Sequence, residues 1–168
     1  RVKSNEIIMI PSQVLRPSQL PLRSNAFAPY PTHLIRRVRL RDGAELIIRP
    51  IRISDYELEL EFVRNLSATT AYQRLLSPRK VTVDEIRRFV DIDYAREMAL
   101  IAVSGSDDKP RQVGAARYVP EDNDMSCEVA IVVADAWQGR GLGEILLRTL
   151  IQAAATAGVT RLTGWALS

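Results

Sequence analysis

Hydrophobic and polar residues alternate with several different periods along this chain, and each change of period marks a predicted element. Glu45–Ile51 is predicted to be a first strand, which Pro50 ends and which a turn at Asp42-Gly43 precedes. The short polar connections between the later apolar runs favour antiparallel neighbours. These runs predict consecutive strands over Met98–Val103, Gln112–Val119 and Met125–Val133.

Helical signals lie between the first strand and the later ones. Ser54–Glu57 and Thr82–Glu85 both have the capping-box pattern, a hydroxyl followed three residues later by Glu. The first box predicts a helix that ends near Leu66. Ser67–Leu76 is predicted to be a short second helix, because Pro78 stops it. Three helices are therefore expected before the main sheet.

A longer helix and a last strand are predicted near the end of the chain. Ile145–Ala157 has helical periodicity, and Gly158 is a natural C-terminal stop before a strand over Thr160–Ala166. The apolar stripe of this helix contains Ile145, Leu146, Thr149, Leu150 and Ala153.

The first 33 residues give no regular signal. Their prolines break helical and strand periodicity, since proline removes a backbone donor and restricts the residue before it. We therefore expect a proline-rich interdomain linker over residues 1–38, followed by one domain over 39–168. The chain starts at Arg1 without an initiating methionine, which indicates a fragment or a processed chain. The prolines are Pro11, Pro17, Pro21, Pro29 and Pro31.

Composition limits the class of protein. The 168 residues are 46% hydrophobic and 26% charged, which is typical of a globular domain with a sizeable core. No apolar run approaches the roughly 20 residues that span a bilayer, and no signal-peptide layout is present, so a cytoplasmic protein without membrane contact is expected. The sequence has one cysteine, Cys127, so an internal disulfide is excluded. With one histidine, His33, we expect no metal site.

The net charge of +3 suggests nucleic acid as one partner to consider. Arg36, Arg37, Arg39 and Arg41 cluster before the predicted domain. No aromatic residues interleave with them as stacking platforms, so we expect no nucleic-acid partner and interpret the cluster as a solvated linker. Attraction of a polyanionic ligand is the other interpretation.

A glycine turn, Gln138–Gly143, lies between the apolar run Glu128–Val133 and the last helix. A strand, a glycine turn and a helix together direct unpaired backbone N–H groups and a positive helix end toward one place, which suits a phosphate. The dinucleotide pattern fails because Glu144 occupies its last glycine position, and the Gly-Lys-Ser/Thr of a P-loop is absent. A simple connector is the alternative.

Val133–Gly143 resembles motif A of the GNAT superfamily of N-acetyltransferases. Leu40–Gly43, Ile48–Ile51 and Asp93–Leu100 resemble bacterial protein lysine acetyltransferases fused behind an NDP-forming acyl-CoA synthetase. The resemblance implies an α/β (α+β in some schemes) GNAT fold, with a mixed, mostly antiparallel sheet and helices on both faces. It also implies a C-terminally truncated domain, because the chain stops at Ser168.

The resemblance further implies a binding site for acetyl-CoA. Arg140 would add positive charge to that site, or would be merely solvated, and Trp137 is expected to cover the sheet end. The implied cofactor-binding residues are Ile131, Val132, Val133, Gln138, Gly139, Arg140, Gly141, Leu142 and Gly143. The strand before the turn is expected to splay from its neighbour and free backbone donors for the thioester oxygen.

Glu128 is the candidate catalytic residue. A lysine amine with a pKa of about 10.4 must lose a proton before it attacks a thioester, so a base is needed. Glu128 is the only acid between Asp124 and Asp135, and it matches the general base of the resembled family. A solvent-facing strand position is the alternative. Cys127 falls on the opposite strand face and is expected to be a buried hydrophobe, with a ping-pong cysteine mechanism as the weaker alternative.

The expected function is acetyl transfer to a protein lysine, with acyl-CoA synthetases as expected acceptors. Three alternatives stay open: an acyl-CoA-sensing module without turnover, a small-molecule amine acetyltransferase, and a nucleic-acid-binding module that uses the arginine cluster. In the resembled family, an Asn that contacts the cofactor and often a Tyr that protonates the thiolate follow the last strand. The chain ends before them, so the general acid is not assigned.

Overall fold

In the computed structural model, residues 4–9, 28–70, 81–121 and 126–166 are described. Seven strands within these residues form one sheet. They are β1 (Ser4–Met9), β2 (Arg36–Arg39), β3 (Glu45–Pro50), β4 (Met98–Ser104), β5 (Arg111–Pro120), β6 (Ser126–Val133) and β7 (Arg161–Ala166). The strand order is β1-β7-β6-β5-β4-β3-β2. Only the β6–β7 pair is parallel among these strands, so the sheet is mixed and mostly antiparallel, as predicted.

Helices cover both faces of the sheet. They are α1 (Tyr56–Arg64), α2 (Val83–Val90) and α3 (Leu142–Thr156), with short 3-10 turns at Thr32–Leu34, Ile53–Asp55 and Asp135–Trp137. The apolar side chains of α3 join the core on one face, whereas α1 and α2 contribute to the core on the other. The expected α/β fold with helices on both faces is confirmed.

The central strand β4 shows why two helical layers are needed. Leu100 and Ala102 are fully buried against the α3 side, while Ala99 and Ile101 are buried on the α1 and α2 side. Successive side chains of a strand point to opposite faces. Because β4 is apolar from Met98 to Val103, both of its faces have to be covered.

The predicted apolar stripe places α3 on the sheet. Leu146, Thr149, Leu150 and Ala153 are buried, and Ile145 is half-buried at the edge of the core. Gly158 follows the helix with a φ of 80°, a left-handed conformation that favours glycine. The helix therefore ends where the sequence predicts.

One of the two predicted capping boxes is wrong. Thr82 accepts from the Glu85 N–H at 3.3 Å, and the Thr82 N–H donates to the Glu85 carboxylate at 2.8 Å, which confirms the second box. Ser54 does not cap α1. Asp55 is the N-cap residue of α1 instead. Its carboxylate accepts from the Arg52 N–H at 2.7 Å and from the Arg49 guanidinium. The predicted short helix Ser67–Leu76 is seen at 68–70, and its remainder lies outside the described residues.

The expectation of an irregular N-terminal segment is wrong for Ser4–Met9, which forms β1 and pairs antiparallel with β7. The physical reason is local: the prolines begin only at Pro11, so nothing prevents strand pairing before it. Arg36–Arg39 also lies in the sheet, as β2. Tyr30 is attached to the domain as well, because its hydroxyl donates to the Pro50 carbonyl at 2.7 Å.

Candidate active site

The glycine turn leads directly into α3. Gly139 has a φ of 72° and Gly141 a φ of 90°, both in the left-handed region, and Gly141 is the N-cap of the helix. The first helical hydrogen bond runs from the Ile145 N–H to the Gly141 carbonyl at 3.2 Å. The N–H groups of the preceding helical residues have no acceptor within the helix. The turn therefore presents backbone donors at the positive end of a 15-residue helix.

Gln138 fixes the turn to the end of β6. Its side-chain amide donates to the Val133 carbonyl at 3.0 Å, so this side chain attaches the loop to the end of β6. Leu142 is only 1% exposed and packs into the core beneath α3. Of the predicted cofactor-binding residues, these two position the loop with their side chains.

The strand before the turn separates from its parallel neighbour. Pairing of β6 with β7 ends at Val129 opposite Gly164, although β6 continues to Val133. On its other edge, β7 pairs with β1 along its whole length, from Arg161 to Ala166. Ala130 and Ile131 of β6 are therefore no longer paired with the end of β7, as the predicted splay requires. Val132 and Val133 would stand opposite positions beyond Ala166, outside the described residues, so the opening expected there stays a prediction.

Glu128 lies one residue before this opening. It is exposed and stands opposite Val119 of β5 and Thr163 of β7. Its neighbour Cys127 is 1% exposed in the core on the α3 side, so the two side chains occupy opposite faces, as predicted. Glu128 therefore faces the side on which α1 and α2 pack, and Cys127 is removed from the opening.

Arg140 is paired rather than merely solvated. Its guanidinium lies 3.1 Å from the Asp42 carboxylate and 4.8 Å from the centroid of the Trp137 ring. Trp137 in turn packs against the core at the end of the sheet, as expected. The turn between β2 and β3 thus contacts the glycine loop, and Asp42 is a site neighbour that the local sequence did not indicate.

Asp135 is a second residue that sequence reasoning missed. Its carboxylate accepts from the Ser67 hydroxyl at 2.7 Å, the Ser67 N–H at 3.0 Å and the Thr70 hydroxyl at 2.8 Å. These hydrogen bonds, the one from the Ser67 hydroxyl foremost, lower the pKa of Asp135 to about 2. The start of the loop is thereby attached to the start of the helical segment at 68–70.

Two tyrosines, Tyr118 and Tyr94, lie in or beside the core. Desolvation by burial raises the pKa of the Tyr118 hydroxyl to about 12 and that of Tyr94 further. The Tyr94 hydroxyl donates to the Ile51 carbonyl at 2.6 Å. The general acid stays unassigned.

Within the described part of the chain, no group of three His, Cys, Asp or Glu side chains is arranged to hold a metal ion. No helix among the same residues is long and apolar enough to cross a membrane.

The strand β6, the glycine turn and the N-terminus of α3 together define a candidate anion-binding site on an α/β sheet. Residues 64–167 match the model of the acetyltransferase (GNAT) family. The chain belongs to the GNAT acetyltransferase family, and it is an acyltransferase.

Individual relatives agree with this membership. The chain is 36% identical over 138 residues to an acetyltransferase of Pseudomonas aeruginosa, covering 81% of this chain and 73% of the relative. It is 33% identical over 125 residues to the acetyltransferase Pat of Mycolicibacterium smegmatis, covering 74% of this chain but 37% of that protein. The crystal structure of the GNAT domain of PAT from S. lividans superposes with a TM-score of 0.74 at 28% identity, covering 81% of this chain and 80% of that one.

Proposed function

We propose that this chain transfers an acetyl group from acetyl-CoA to the side-chain amine of a protein lysine, with Glu128 as the general base. The observation that carries the proposal is the position of Glu128 and the glycine turn on one strand. Glu128 is still paired opposite Thr163, one residue before the pairing of β6 with β7 ends, and the glycine turn follows the far end of β6.

The loop end of this stretch fits a diphosphate. The N–H groups at Gly139, Gly141 and Gly143, with those of Arg140 and Leu142, would bind it, because the left-handed glycines direct them outward at a helix N-terminus. A Cβ at Gly139 would meet no atom within 4 Å, so the loop surface is open on that side. Gln138 would hold the loop in place through Val133.

The spacing along β6 fits a ligand with a long arm. Five residues separate Glu128 from Val133, which is about 17 Å at the rise of an extended strand. A phosphate on the loop and a reacting carbonyl beside Glu128 therefore have to be joined by an extended chain, as they are in acetyl-CoA. The open edge at Ile131, Val132 and Val133 would provide backbone partners along this arm.

Acetyl-CoA supplies an activated thioester whose C–S bond is exchanged for a C–N bond to the acceptor. The protein has to make the amine nucleophilic, and Glu128 takes its proton directly or through one water. Backbone N–H groups freed by the splay polarise the carbonyl on which negative charge develops. Cys127 takes no part, because it is buried on the other face.

The exposure of Glu128 supports a protein lysine over a small amine. A cavity of about 320 Å³ lies between α1 and the Asp135–Trp137 turn, lined also by Gln112 and Val113. It is at the loop end of β6, six residues or about 20 Å from Glu128. Glu128 does not line that cavity, and its exposed carboxylate is reachable by a side chain on a protein surface. An acyl-CoA synthetase is the acceptor we propose.

Glu128→Gln tests the base. We expect kcat for acetylation of a synthetase or a lysine peptide to fall by about 10²–10⁴-fold, while the Kd for acetyl-CoA measured by calorimetry stays within about twofold. Glu57→Gln is the matched control, since Glu57 is an exposed acid on α1.

Acetyl transfer that is unchanged in Glu128→Gln would remove the catalytic assignment. Tight binding of acetyl-CoA by the unaltered chain without turnover on any amine would favour the sensing-module alternative. Because raising the pH deprotonates the free amine, partial rescue of Glu128→Gln at high pH would support the role of a base.

A further inference from the structure

The turn between β2 and β3 lies against the N-terminus of α3, although the two are far apart in sequence. The Arg41 guanidinium donates to a carboxylate oxygen of Glu144 at 3.1 Å. Its Nε lies 3.3 Å from the point that a Cβ on Gly141 would occupy. A cation from outside the glycine loop is therefore placed directly over the loop.

Glu144 places a negative charge beside the proposed diphosphate site. It is in the first turn of α3, next to the donors that would bind a diphosphate. An unpaired carboxylate there would repel a ligand of the same sign, and the repulsion is strongest at short range. Anion binding at this loop therefore requires that Glu144 be neutralised.

Glu144 has two cationic partners, one for each oxygen. Arg41 binds Oε2 at 3.1 Å, and Arg148 binds Oε1 at 2.8 Å. Arg148 is one helical turn further along α3, where an i,i+4 ion pair is favourable. If Arg41 turned to another anion, Arg148 would still neutralise Glu144.

The backbone of the turn is fixed, whereas the Arg41 side chain is 76% exposed. Leu40 is buried, and its N–H donates to the Ala44 carbonyl at 2.8 Å. Asp42 is held by Arg140 at 3.1 Å. The Arg41 guanidinium can therefore move by side-chain rotation alone, from a fixed starting point over Gly141.

We propose that Arg41 is a cofactor-binding residue: it exchanges Glu144 for the diphosphate of CoA when the cofactor binds. The inference rests on the proposed function, because it takes CoA as the ligand of the loop. It adds to the glycine loop a charged contact from the turn between β2 and β3, and Arg148 keeps Glu144 neutralised after the exchange.

Calorimetric titration with CoA tests the contact. We expect the Kd of Arg41→Ala to rise about tenfold, the effect of losing one charge-assisted hydrogen bond, and Arg41→Lys to restore part of it. Arg39→Ala is the matched control. Arg39 lies in the same hairpin, is 71% exposed and pairs with Glu45, so its loss should leave the Kd unchanged.

The variant Glu144→Gln separates direct contact from simple neutralisation. If Arg41 touches the diphosphate, Arg41→Ala should still weaken CoA binding about tenfold when Glu144→Gln is present. If Arg41 only neutralises Glu144, its loss will have no effect in that background, and the proposal is overturned.

Dephospho-CoA, which keeps the diphosphate but lacks the 3′-phosphate, identifies the group that Arg41 binds. Arg41→Ala should weaken CoA and dephospho-CoA equally, and a loss confined to CoA contradicts the diphosphate assignment. Failure of the unaltered chain to bind CoA would instead count against the proposed function. Normal CoA binding by both the unaltered chain and Arg41→Ala would overturn only the role of Arg41.

Discussion

Alanine at Gly141 should destabilise the protein, whereas alanine two residues later should not. Gly141 has a φ of 90°, which an L-residue adopts at a cost of about 1–2 kcal/mol. A new Cβ would also meet the Arg41 side chain at 3.3 Å, but that flexible chain can shift, and its exposed ion pair contributes only about 0–1 kcal/mol. We therefore expect a loss of about 1.5 kcal/mol from the free energy of unfolding.

The matched control is Gly143→Ala. Gly143 lies within α3, without a positive φ, and the nearest atom to its Cβ would be a methyl group of Val133 at an ordinary 3.8 Å. Alanine there reduces the entropy of the unfolded chain and favours the helix, so the free energy of unfolding should rise by about 0.4–1 kcal/mol. The same chemical change should thus have opposite signs at two neighbouring positions.

Thermal and urea unfolding followed by circular dichroism would measure both variants. For a domain of this size, about 1.5 kcal/mol corresponds to a fall in Tm of roughly 3–6 °C for Gly141→Ala. Gly141→Ala should also weaken CoA binding, because the N–H groups that follow it would be redirected. Equal stability of the two variants, or a more stable Gly141→Ala, would refute the assignment of Gly141 as the left-handed N-cap of α3.

Two further predictions concern carboxylates outside the reaction. Arg49 donates to both oxygens of Asp55 at 2.7 Å, and the two side chains are 15% and 7% exposed. In urea unfolding, Asp55→Ala should therefore cost about 3–5 kcal/mol, whereas breaking the exposed Arg39–Glu45 pair with Arg39→Ala should cost about 0–1 kcal/mol. Similar losses for the two variants would contradict this prediction. The pKa of Asp135 is lowered to about 2 in the folded state, so its contribution to stability is complete above about pH 4 and is lost as the pH falls toward 2. Because Asp135 is exposed, this contribution should be about 1 kcal/mol or less. It is measured as a stability difference from Asp135→Asn that is complete at pH 6 and mostly lost at pH 2. A difference that grows in acid would show the opposite sign.

Local patterns were sufficient wherever an element is determined by its own residues. The box at Thr82–Glu85, the stop at Gly158 and the opposite faces of Cys127 and Glu128 all follow from contacts within a few residues. The box at Ser54 is wrong because the neighbouring carboxylate of Asp55 makes the contacts at this helix start. Asp55 is needed by Arg49 of β3, and the same carboxylate accepts from the Arg52 N–H at the start of the turn.

The glycine turn, its strand and its helix were determined by the sequence itself, because glycine conformation and strand alternation are local properties. Only the tertiary structure decided what surrounds them. Arg41 and Glu144 are 103 residues apart, and Ser67 and Asp135 are 68 residues apart. No local sequence pattern can therefore predict either pairing. The separation of β6 from β7 after Val129 is likewise a property of two strands that a helix divides in sequence. Position on the sheet, rather than residue type, brings these groups to the loop.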